Sequence, residues 1–77
     1  MSKKNIQKNI RLSLELDRYI SGKPSVLKHV PRGADIIITS DRDKKFSEIN
    51  LSIARDSRTG QFVEARKSSK GWTIKKI

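Results

Sequence analysis

The sequence predicts a small α+β domain dominated by antiparallel sheet, with one or two short helices. Three observations carry this. Ile49, Leu51 and Ile53 alternate with Asn50, Ser52 and Ala54, and Asp56-Ser57-Arg58-Thr59-Gly60 then leads into Gln61–Arg66. Such alternation is the period of a half-buried strand, and an Asx start with a closing glycine suits a bulged hairpin turn. Ser68-Ser69-Lys70-Gly71 makes a second turn into Trp72–Ile77, completing a C-terminal three-stranded meander. Ala34–Thr39 holds three consecutive isoleucines, whose β-branched side chains favour a buried strand over a helix. The competing reading of 43–55 is a helix using Phe46, Ile49 and Ile53.

Residues 1–9 are polar and basic and are expected as a flexible arm, with 10–77 as the single folded domain. Ile10, Leu12, Leu14 and Leu16 alternate with Arg11, Ser13 and Glu15, which reads as a strand. Leu16, Tyr19 and Ile20 then take helical spacing, ended by Ser21-Gly22 and Pro24. One continuous helix over roughly 5–21 is the alternative. Ser25–Val30 is expected as a helical turn, Pro31-Arg32-Gly33 as a tight turn, and Ser40–Lys45 as a charged loop.

The segment Asn9-Ile10-Arg11-Leu12-Ser13-Leu14-Glu15-Leu16-Asp17-Arg18-Tyr19-Ile20 resembles the start of a ribbon-helix-helix repressor, in which a short strand runs into the first helix. The resemblance implies that Arg11 and Ser13 would face DNA bases. It covers only these residues. A long second helix should follow, and Pro31-Arg32-Gly33 closes the chain off too soon, so membership is not inferred.

The chain has 77 residues, 34% of them hydrophobic and 34% charged, and no cysteine. That length makes one thin-cored domain with no covalent staple, for which a homodimer is a possible supplement. The absence of cysteine removes disulfides and thiolate metal sites. The longest purely apolar run, Ile36–Ile38, is too short to span a bilayer, and a cytoplasmic setting with no membrane partner is expected.

Charge is distributed unevenly. Residues 1–11 carry Lys3, Lys4, Lys8 and Arg11 with no acid, and 55–77 carry Arg55, Arg58, Arg66, Lys67, Lys70, Lys75 and Lys76 against Asp56 and Glu64. The centre is nearly balanced, although the whole chain is +10. Two cationic ends on a neutral middle point to an anionic partner. The expected function is therefore a small basic nucleic-acid-binding protein of bacterial or phage regulator type. DNA is placed ahead of RNA, with contacts through the C-terminal sheet and the N-terminal arm. Arg55, Arg58 and Arg66 are the candidate base or phosphate contacts, and Lys67, Lys70, Lys75 and Lys76 the phosphate anchors. Phe62 shares a strand face with Glu64 and Arg66 and is a candidate stacking ring. Trp72 is read as core.

The rival class is an interaction module, such as an inhibitor, adaptor or antitoxin, docking its cations on an acidic protein. A dry apolar patch around Phe62 and Trp72 would mark it. Catalysis finds little support. His29 is the only histidine, and Asp41-Arg42-Asp43-Lys44-Lys45 interleaves its carboxylates with bases, which suits a solvated loop better than a cation cage. No catalytic residue, metal or cofactor is expected.

Overall fold

The structure is a computed structural model describing residues 2–57 and 60–77. In chain order it contains helix α1 (Lys3–Gly22), a 3-10 helix (Pro24–His29), strand β1 (Asp35–Ser40), helix α2 (Lys44–Asp56), and strands β2 (Phe62–Ser68) and β3 (Gly71–Lys76). The α+β class stands, but the sheet is mixed rather than antiparallel. Its order is β1-β2-β3, with β1 and β2 parallel and β2 and β3 antiparallel. Among the described residues, no helix is long and apolar enough to cross a membrane.

Two sequence expectations are corrected. The first strand of the expected meander is α2. Asp43 caps this helix, its Oδ1 accepting from the Phe46 N–H at 3.0 Å, and caps of this kind satisfy otherwise unpaired first-turn donors. Phe46, Asn50 and Ala54 form its buried row at i, i+4 and i+8, and Ile53 faces out. Of the expected 56–60 hairpin turn, Asp56 ends α2, and Arg58 and Thr59 lie outside the described residues. α2 lies in the crossover between the parallel strands β1 and β2, a pairing that a short turn cannot join. Gly60 still has φ +97°, a conformation open to glycine at little cost.

The second correction concerns residues 10–16, which are helical. Ser2 caps α1, its Oγ accepting from the Asn5 N–H at 3.2 Å. Lys3, Lys4 and Lys8, assigned to an arm, lie in the first turns of this helix. Leu12 and Leu16 are buried whereas Ile10 and Leu14 are exposed. Two i, i+4 pairs offset by two residues produce the same alternation as a strand. With the strand goes the structural basis for the ribbon-helix-helix resemblance.

The remaining elements match expectation. β1, β3, the Ser68–Gly71 turn and the turn of helix before Pro31 are present. Register assigns the sheet faces. Ile36, Ile38, Val63, Ala65, Lys67, Trp72 and Ile74 share one face, and Ile37, Thr39, Phe62, Glu64, Arg66, Thr73 and Lys75 share the other. α1 covers the first face, where Leu12, Ile38 and Phe46 form a cluster with Trp72 against it. Val63 and Ala65 beneath are fully buried.

α2 lies beside β1 and closes its free edge. The Asp35 and Asp41 amides donate to Gln61 O and Lys67 O of the neighbouring strand segment, so the even-numbered residues of β1 direct their backbone groups the other way. There the Asn50 Nδ2 donates to Ile38 O at 2.8 Å, and the Ser47 Oγ accepts from the Ser40 N–H at 2.8 Å and donates to Ser40 O at 3.0 Å. Asn50 also donates to Asn9 Oδ1 at 2.9 Å, joining α2 to α1. Replacing Asn50→Leu should lower stability by about 1–3 kcal/mol, because Ile38 O would be left buried without a donor. The urea midpoint would report this. An unchanged midpoint would mean that water or a neighbour replaces the amide.

Candidate nucleic-acid interface

The cations of the C-terminal region are divided by what faces them. On the second sheet face Glu64, only 4% exposed, accepts from the Thr39 hydroxyl at 2.6 Å. The Arg66 Nη2 lies 3.1 Å and the Lys75 Nζ 3.7 Å from its carboxylate. Arg66 also approaches Asp41 at 3.7 Å. Burial pushes the Glu64 carboxyl up. The Thr39 hydrogen bond and the Arg66 and Lys75 charges together outweigh it and hold the group below its ordinary value. The Arg66 guanidinium is thus shared between two carboxylates of its own chain.

Two more candidates are engaged in the same way. Lys67 lies 3.5 Å from Glu15 and above the Trp72 ring at 5.3 Å, which fastens β2 to α1. Lys8 bonds Asp43 at 2.7 Å and sits 5.0 Å above the Phe46 ring. The Lys8 hydrogen bond and the Phe46 amide lower the Asp43 carboxyl. Asp43 therefore occupies the N-terminus of α2 with the protein's own carboxylate. An N-terminus after a parallel strand is otherwise a natural phosphate position.

Lys3, Lys4 and Arg11 are exposed along α1, and Lys70 is exposed in the β2–β3 turn. None of these four lines either of the two cavities described below. Arg58 lies outside the described residues.

Arg55 and Lys76 do come together. They line a cavity of about 490 Å³ with Pro31, Gln61 and the half-buried Phe62, closed by Ala54, Ser57, Gly60 and Ile77. An adjoining cavity of about 400 Å³ shares Pro31 and Lys76 and adds Lys28, His29, Ile74 and Lys75. Neither lining contains an Asp or Glu side chain. Among the described residues no acid lies within ion-pair distance of Lys28, Arg55 or Lys76. The site is built by the end of α2, the entry to β2, the end of β3 and the 3-10 helix.

Lys28 and His29 were missed as site residues by sequence reasoning. They fall in the balanced central segment, and only the packing of the 3-10 helix beside β3 brings them to Lys75 and Lys76. Phe62 and Trp72 face opposite sides of the sheet, so they form no common apolar patch. No group of three metal-ligating side chains occurs among the described residues.

The chain belongs to a family of unknown function, DUF5647, whose model matches residues 4–71. No curated protein and no solved structure matches it.

The Glu64 cluster makes a prediction about pH. A carboxyl held below its unfolded value adds stability above that value and loses it as pH falls through the folded one. Thermal melts between about pH 7 and pH 3 should show stability declining on the acid side. Glu64→Gln should flatten that decline, with the contribution of Asp43 remaining. An acid limb of unchanged steepness in the variant would show that Glu64 does not drive it.

Proposed function

We propose that this member of DUF5647 binds nucleic acid through the paired cavities around Lys76. One observation carries the reading. Lys28, Arg55 and Lys76, with no acid in ion-pair distance among the described residues, converge with Lys75 on two adjoining concavities whose linings hold no Asp or Glu side chain, whereas Lys8, Arg66 and Lys67 are matched by acids of the same chain and Lys75 is shared with Glu64. Cations left uncompensated on a concave surface concentrate positive potential and attract a phosphate backbone.

Binding follows from counterion release, each phosphate neutralised by a lysine or arginine freeing a condensed cation. Arg55 offers a planar fork for a phosphate or a guanine edge, and the lysines act as point charges. The Gln61 amide adds a donor and an acceptor beside them. The Phe62 ring at the cavity wall supplies an apolar surface against which a sugar or base packs. Duplex DNA is the first ligand to test, with single-stranded DNA and RNA beside it. Docking on an acidic protein is the weaker reading, because the apolar patch expected of it is split across the sheet by Phe62 and Trp72.

Four phosphate contacts should give a log–log slope of affinity against salt near about −3.6 on duplex DNA. Arg55→Ala with Lys76→Ala should reduce its magnitude by about 1.8 without loss of fold, since both side chains are at the surface. Phe62→Ala should weaken binding with little change in slope. Fluorescence anisotropy at several salt concentrations measures all three. Absence of binding to any of the three nucleic acids at low salt would overturn the proposal.

A further inference from the structure

Helix α1 carries two apolar rows, and the fold uses only one. Leu12 and Leu16 enter the core. Ile6, Ile10 and Leu14 are 47%, 58% and 60% exposed, and at 100° per residue they fall within an arc of about 80° on the opposite side. Lys3 and Asp17 lie inside the same arc, about 21 Å apart along the axis. Among the described residues neither has an ionic partner. None of these five residues lines either cavity of the proposed binding site.

We infer that the outer face of α1 is a seat for a second copy of this chain, with the two helices antiparallel about a two-fold axis at Ile10. The spacing is self-complementary in that arrangement alone. Ile10 meets Ile10, each Ile6 meets the Leu14 of the other copy, and each Lys3 meets the other's Asp17. The four residues flanking Ile10 pair by equal displacement from the axis, as a two-fold interface requires. A parallel pair would instead set Lys3 against Lys3 and Asp17 against Asp17, which repel. The recurrence at 3, 6, 10, 14 and 17 is close to the 3.5-residue repeat of helices packed along a seam.

Another occupant of an apolar stripe with basic neighbours is an anionic bilayer. Asp17 stands within the stripe and no aromatic ring does. Interfacial helices favour the reverse, cations at the polar margin and aromatic side chains on the apolar face. A second copy answers both Lys3 and Asp17, which a bilayer does not.

Sedimentation of the whole chain over a wide concentration range tests this. The expected result is a reversible species of twice the 8.8 kDa chain mass. Ile10→Glu should weaken association by roughly tenfold or more, because it places two carboxylates at the axis. It should leave the circular dichroism of the monomer intact, since the position is exposed. Asp17→Lys should also weaken association. Adding Lys3→Asp to it should restore association, because the exchanged pair is again opposite in charge.

A chain that remains monomeric throughout, or a dimer indifferent to Ile10→Glu, overturns the inference. Failure of the double exchange to recover what the single one loses rules out the antiparallel register. Binding of the monomer to phosphatidylserine vesicles, abolished by Ile10→Glu, would assign the stripe to a membrane surface and likewise overturn it. The nucleic-acid titrations do not depend on any of these outcomes, because the cavity residues are unaltered.

Discussion

Ile38 O and the amide and carbonyl of Ser40 face away from β2, and in a sheet of three strands nothing in the strand order can satisfy them. Asn50 and Ser47 of α2 do so with side chains. An uncovered strand edge is open to pairing with other chains, and a helix laid alongside is one way of closing it. Much of the remaining architecture follows from where α2 must then lie. Its first turn delivers Phe46 to Leu12 and Ile38. Its Asn50 reaches α1 through Asn9, and its last turn brings Arg55 to the start of β2. The same helix thus closes the sheet, builds the core and delivers a cation to the candidate site.

The acids of the chain perform a sorting function. Asp43 holds Lys8, Glu15 holds Lys67, and Glu64 with Asp41 holds Arg66. These contacts join α1 to α2, α1 to β2, and β2 to the loop after β1, so they fix the relative positions of elements that share a thin core. Each is partly solvent-exposed and individually modest. Their larger consequence is electrostatic. By neutralising cations in the middle of the molecule they leave Lys28, Arg55 and Lys76, at one end of the sheet, among the cations that no acid of the described residues pairs.

Local chemistry made part of this legible in the sequence. The isoleucine run marks β1, the Ser68–Gly71 turn marks the β2–β3 hairpin, and alternation divides Phe62, Glu64 and Arg66 from Val63, Ala65 and Lys67 as the register does. Both long helices were concealed for related reasons. In α1 two rows of i, i+4 residues imitate strand alternation. In α2 the buried row contains Asn50, a polar residue whose burial makes sense only once a strand edge is beside it. Missing α2 also hid the parallel pairing of β1 with β2, since the expected hairpin set residues 49–53 rather than β1 beside β2. Of the candidate site, Arg55, Phe62, Lys75 and Lys76 were legible as composition. Lys28 and His29 were not, because their membership arises from tertiary placement rather than from neighbours in sequence.

The outward row of α1 has a physical reason to be partnered. A domain of 77 residues buries a smaller fraction of its surface than a larger one, and large apolar side chains left in water forfeit the burial that stabilises it. Single exposed apolar residues are ordinary on any protein surface. Three in register along one helix, bracketed by a lysine and an aspartate with no ionic partner among the described residues, are not a scatter of that kind. The row also accounts for the misleading strand pattern, since a helix that needed only one buried face would carry polar residues at 6, 10 and 14. The ambiguity of the N-terminal sequence and the self-association proposed for it therefore rest on one feature, a helix apolar on two sides of which the fold buries one.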